Sequence, residues 1–130
     1  MVDALALRGQ IPAALGPVFA DGSIVKVLHG ADGDVQWLQR DFGIYVVSLF
    51  DTGQAARVLG LPSHGLAHLL QRHCGVRANK ALQLADWRCR PLTHEMAHYA
   101  REDTHYLLHV YDALRRELAE RQDEVPEELR

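Results

Sequence analysis

Residues 24–60 decide the fold: Ile24-Val25-Lys26-Val27-Leu28-His29-Gly30, then Asp34-Val35-Gln36-Trp37-Leu38-Gln39-Arg40-Asp41, then Ile44-Tyr45-Val46-Val47-Ser48-Leu49-Phe50, then Asp51 onward to Gly60. The first run is short, β-branched and closed by His-Gly, which predicts a buried strand over 24–28. Asp34 to Asp41 predicts a short helix ended by Gly43. Ile44 to Phe50 predicts a second strand, and Asp51 then caps a helix, with Gln54 at the position that closes a capping box. Ser63 to Cys74 predicts a further helix stopped by Gly75. Strand, helix, strand and helix in short units imply parallel α/β packing.

Beyond this block, Thr93 to about Gln122 contains neither Gly nor Pro. Ala100, Thr104, Leu107, Tyr111, Leu114 and Leu118 alternate four and three apart, so one continuous helix with one packing stripe is expected. From Asp123 the sequence is acidic and is expected to fray. The 130 residues fit one small domain over 1–122 with a tail at 123–130, and 48% hydrophobic content is enough for a core. The net charge of −3 excludes a broad basic surface, so any nucleic-acid contact must be local. Cys74 and Cys89 form no C-x-x-C and read as reduced thiols. No apolar run approaches ~20 residues and no leader pattern opens the chain, so a cytosolic or nuclear protein with no membrane partner is expected.

Two patterns could hold metal. His94-Glu95-Met96-Ala97-His98 matches H-E-x-x-H, which sets two imidazoles and a glutamate on one helix face as zinc hydrolysis requires. Eighteen residues intervene before Glu117, a candidate third ligand. On one unbroken helix, however, His98 and Glu117 lie about 28 Å apart at 1.5 Å per residue, so one zinc cannot reach both. His105 lacks the Gly that would turn the chain before it; Arg101 stands in that region. The zinc-peptidase reading is therefore disfavoured, and the His64/His68 and His105/His109 pairs read as solvated or hydrogen-bonded. Tyr99 and Asp103 are also four apart and point the same way from one helix. They flank the apolar stripe, where a carboxylate needs a partner or a metal, although such a pair alone is more often structural.

The surroundings favour function. His29-Gly30-Ala31-Asp32-Gly33-Asp34-Val35-Gln36-Trp37-Leu38, Phe50-Asp51-Thr52, Gln83-Leu84-Ala85-Asp86-Trp87-Arg88-Cys89-Arg90-Pro91-Leu92 and Tyr99-Ala100-Arg101-Glu102-Asp103-Thr104-His105-Tyr106-Leu107-Leu108 follow in order at close spacing. Over about residues 24–121 the chain resembles the ribonuclease D-like (DEDDy-type) 3′–5′ exonucleases, most of all their eukaryotic branch associated with the nuclear RNA exosome.

The resemblance implies a ribonuclease H-like α/β fold, a mixed central sheet flanked by helices. It implies removal of nucleotides from the 3′ end of single-stranded RNA by two Mg²⁺ or Mn²⁺ ions, with exosome subunits as partners and the nucleus or nucleolus as location. Hard oxygen ligands suit such ions. By motif, Asp34 matches the family's second Asp, which supports one ion; Asp103 matches the last Asp, a ligand of the other; and Tyr99 matches the tyrosine that orients the attacking water. Asp34 could otherwise be a helix N-cap. The family's Asp-x-Glu has no counterpart: only 23 residues precede Ile24, and Asp3 is followed by Ala4-Leu5. Residues 1–5 then correspond to the end of a third strand and the start of a first helix, the first strands are missing, and catalysis by this chain is in doubt. The alternative is a non-catalytic RNA- or protein-binding module. The strand over 24–28, short of its usual neighbour, is expected to be an edge prone to self-association.

Overall fold

The computed structural model describes residues 1–77 and 80–124. In chain order it builds α1 (Ile11–Ala20), β1 (Lys26–Leu28), α2 (Asp32–Phe42), β2 (Leu49–Asp51), α3 (Thr52–Val58), α4 (Leu66–Cys74), α5 (His94–His105) and α6 (Leu107–Glu124). Among the described residues the sheet has two parallel strands, with Lys26, Val27 and Leu28 opposite Leu49, Phe50 and Asp51. The strand–helix–strand–helix order and the parallel pairing agree with the sequence. The acidic tail lies almost wholly outside the described residues; Asp123 and Glu124 still belong to α6.

Both strands are shorter than their apolar runs. Ile24 is drawn into a turn, its amide donating to the Asp21 carbonyl at 3.2 Å. In the second run the Val47 amide donates to the Phe19 carbonyl at 2.9 Å, and Ser48 takes a left-handed φ of 57°, which interrupts extended backbone before Leu49. Lys26 is buried at 7% exposure, its Nζ donating to the carbonyls of Val18 and Asp21 at 3.1 and 2.7 Å. It ties β1 to the end of α1 rather than guarding an open edge.

The helix stops at Gly43 and Gly75 form as expected. Each glycine has a positive φ, and its amide and the next one reach back to carbonyls of the last turn, Gln39 and Leu38 in α2, Gln71 and Leu70 in α4. Two helix starts differ from expectation. Ser63 accepts the Gly65 amide in a turn, so α4 begins only at Leu66. Residues 1–3 form no strand: the Asp3 carboxylate accepts the amides of Leu5 and Ala6 and starts a run of turns, and Pro12 stands in the first turn of α1, where its missing amide hydrogen costs nothing.

The long C-terminal helix is two helices, with Tyr106 between them. The Thr104 hydroxyl donates to the Arg101 carbonyl at 3.3 Å, a local bond that competes with the helical ladder and favours bending. Past the break α6 supplies Val110 and Leu114 to a core closed by Ala55, Ala56, Leu59, Leu69 and Leu70. Leu107 and Leu114 of the expected stripe are buried, whereas Thr104 is exposed and Val110, outside the stripe, is fully buried.

Candidate active site

At the C-terminal ends of the two parallel strands the chain makes one hydrogen-bonded junction. Asp51 is the N-cap of α3, its Oδ1 accepting the amides of Gly53 at 2.8 Å and Gln54 at 3.3 Å. The same carboxylate crosses to the other loop: Oδ1 accepts the Gly30 amide at 3.0 Å and Oδ2 the Ala31 amide at 2.8 Å. Burial alone would push the Asp51 pKa up, but the amides of Ala31, Gly30, Gln54 and Gly53 outweigh it and hold the carboxyl below its ordinary value.

Thr52, fully buried, donates its hydroxyl hydrogen to the Leu28 carbonyl at 3.2 Å, so His29 Nδ1, 2.9 Å from Thr52 Oγ1, is the donor in that contact. Burial depresses the His29 pKa, against a smaller upward pull from Asp51. A Cβ on Gly53 would meet Asp51 Oδ1 at 3.2 Å and His29 Cε1 at 3.3 Å, so the junction is packed around a bare glycine. Sequence reasoning found the Asp51 cap but not its second loop. One signal was available: Gly53 is a poor helix former inside a predicted helix, which is often a sign of crowding.

This junction launches α2. Ala31 is the N-cap of α2, without a side-chain cap, so Asp34 is not the capping residue. Asp34 sits in the first turn, exposed, where a negative charge suits the helix dipole, and its carboxylate takes part in no hydrogen bond or ion pair among the described residues. It lines an apolar cavity of about 300 Å³ with Phe19, Leu28, Trp37, Leu38 and Phe42.

Tyr99 and Asp103 sit on α5 and line a different cavity, of about 210 Å³, with Leu66, Leu70, Lys80, Gln83 and Glu102. Trp87 packs against the Tyr99 ring at 5.8 Å between centroids. The Asp103 carboxylate has no hydrogen bond or ion pair among the described residues; burial first, and the neighbouring Glu102 second, push its pKa up. The structure thus brings Tyr99 and Asp103 together and places Asp34 in a separate cavity. Gln83 and Glu102 lie within the stretches that carry the resemblance but were given no role there, and Lys80 lies outside them.

The carboxylates have the right chemistry for Mg²⁺ or Mn²⁺. Among the described residues, however, no three His, Cys, Asp or Glu side chains gather where they could hold an ion, so these residues do not complete a metal site. The zinc-peptidase arrangement fails on the same ground. The break at Tyr106 removes the single-helix premise, but Glu117 faces Arg72 and His73 at 3.8 and 3.9 Å, whereas His98 lines a cavity with His94, Arg101, Glu102, His105 and Tyr106. No helix among the described residues is long and apolar enough to cross a membrane.

Comparison with known proteins places the geometry in context. A family model described as 3′–5′ exonuclease matches residues 1–119. Exosome complex component 10 of Rattus norvegicus is 57% identical over 129 residues, covering 99% of this chain and 14% of the relative. The catalytic core of RRP6 from Trypanosoma brucei superposes with a TM-score of 0.81 at 51% identity, over 87% of this chain and 31% of that one. Escherichia coli RNase D, described as an exoribonuclease involved in structured RNA processing, superposes with a TM-score of 0.71 at 31% identity, over 89% of this chain and 29% of that one.

Proposed function

The chain belongs to the 3′–5′ exonuclease family, and on that footing we propose that it serves as part of an exoribonuclease that removes nucleotides from the 3′ end of single-stranded RNA. The observation that carries this is the Tyr99–Asp103 pair: two residues one helical turn apart, lining one cavity, with a carboxylate that the fold itself does not use. In this reading Asp103 and Asp34 each give a carboxylate to divalent ions, Mg²⁺ or Mn²⁺, which supply charge stabilisation for the displaced oxygens. The Tyr99 hydroxyl orients the attacking water, and Lys80, in the same cavity, meets a backbone phosphate. The chain spans a small fraction of its curated relatives, 14% of the rat protein, which is called an exosome component. Exosome subunits as partners and a nuclear location belong to the proposal on that likeness.

A second reading has its own observation. Asp34 and Asp103 line different cavities and no three metal-ligating side chains gather among the described residues, which suits a module that binds RNA or protein without cleaving it. End-labelled single-stranded RNA with Mg²⁺ or Mn²⁺ separates the two. The exonuclease reading expects a 3′–5′ ladder, slow for so sparse a donor set, that Asp103→Asn abolishes and Tyr99→Phe strongly reduces. RNA binding without any metal-dependent ladder would favour the binding module.

A further inference from the structure

The outer face of α5 carries His94, His98, Arg101 and His105, spaced four, three and four apart, so their side chains share one side of the helix. They line a cavity of about 440 Å³ together with Glu102 and Tyr106. Neither the packing of α5 nor the exonuclease reading uses them. All four residues are exposed, and among the described residues the three imidazoles make no hydrogen bond or ion pair. Arg101 donates only its Nε, to the Ala97 carbonyl one turn back at 3.2 Å, which leaves its other nitrogens to solvent.

We propose that this face binds the phosphodiester backbone of single-stranded RNA beyond the nucleotide held at Tyr99 and Asp103. Imidazole and guanidinium N–H groups are donors for phosphate oxygens, and those on Arg101 are charge-assisted. From His94 to His105 the face runs about 16 Å at 1.5 Å per residue, room for more than one phosphate. Aromatic rings accompany the donors: His105 packs edge-on against Tyr106 at 4.7 Å, and both line the cavity, so a base can stack where a phosphate is held. That pairing of donors with rings favours a nucleic acid over an acidic peptide. The two cavities open on well-separated sides of α5, and Glu102, which lines both, stands between them, so a strand that reaches both must pass round the helix beside that carboxylate. The chain's net charge of −3 makes such a patch a local feature rather than part of a basic surface.

The proposal rests on the RNA-directed reading of the neighbouring cavity, and the test separates the two. Binding of a labelled single-stranded RNA of about ten nucleotides is followed by anisotropy in EDTA, across a salt series whose slope reports phosphate contacts at about 0.7 each. Because no ion is present, failure of the metal reading leaves this measurement intact. The variant His94→Ala/His98→Ala/Arg101→Ala should bind at least tenfold more weakly with a flatter salt slope. The variant His94→Arg/His98→Arg should bind several-fold more tightly, a gain that misfolding cannot produce. Binding of both variants within twofold of the parent would overturn the proposal and leave the face to another partner.

Discussion

Asp51 and Ala31, twenty residues apart in sequence, are joined by a 2.8 Å hydrogen bond from the Ala31 amide to Asp51 Oδ2. The bond makes the cap of α3 also the device that fixes the start of α2, three residues before Asp34. Two loops at the ends of parallel strands are thereby held by one carboxylate.

Asp51→Ala leaves the amides of Gly30, Ala31, Gly53 and Gln54 without this acceptor. Loss of an N-cap together with unpaired, partly buried amides should cost about 1–3 kcal/mol. Urea unfolding measures the cost, and amide exchange should speed up first at Gly30 and Ala31. An effect confined to Gly53 and Gln54 would reduce Asp51 to a simple cap.

Asp51 and Asp103 should act oppositely on stability as pH changes. The folded-state pKa of Asp51 lies below the ordinary carboxylate value, so its contribution is present above that value and is lost as pH falls through the folded pKa. Asp103 is exposed; its partial loss of water contact first, and Glu102 second, shift it up, so ionising it costs the folded state a small, solvent-screened amount as pH rises past the ordinary carboxylate value. Asp103→Asn should therefore raise Tm at neutral pH and leave it nearly unchanged near pH 3, as thermal melts across pH will show. A lower Tm at pH 7 would mean that the fold uses the carboxylate.

Gly53→Ala should destabilise by about 1–2 kcal/mol, because its Cβ would press on Asp51 Oδ1 and His29 Cε1 in a packed junction. Thermal unfolding checks this, and a neutral result would show that the junction yields easily.

How far the sequence could be read follows from these particulars. Periodicity and helix stops, which are local, were legible: Gly43 and Gly75 end their helices, and Asp51 begins one. Strand length was not, because the Ser48 φ and the Val47–Phe19 bond depend on where α1 packs. The Tyr106 break was hidden because neither Gly nor Pro marks it, and the Thr104 hydroxyl bond to the Arg101 carbonyl that accompanies it is a side-chain choice that the apolar spacing does not encode. Tyr99 and Asp103 share a cavity as their spacing suggests, but the separate cavity of Asp34 is a tertiary fact that no spacing encodes.

Self-association is expected through the β1 side of the sheet. Ile24 and Val25 are 41% and 50% exposed, beside Val47 and Leu49 at 43% and 38%, and Lys26 is committed to carbonyls of Val18 and Asp21. A short strand edge with exposed apolar neighbours and no free charge invites pairing with another copy. Light scattering should show mass rising with concentration, and Val25→Lys should suppress the rise. A monodisperse monomer at high concentration would remove this expectation.

The central claim is that Asp103, beside Tyr99, is the carboxylate that meets a divalent ion. Mn²⁺ titration followed by paramagnetic broadening of amide resonances tests it most directly, because selective broadening detects binding even at the millimolar affinity expected of an incomplete donor set. Amides from Tyr99 to Thr104 should broaden first, and Asp103→Asn should remove the effect. Selective broadening elsewhere, or broadening at Tyr99–Thr104 that survives Asp103→Asn, would contradict it.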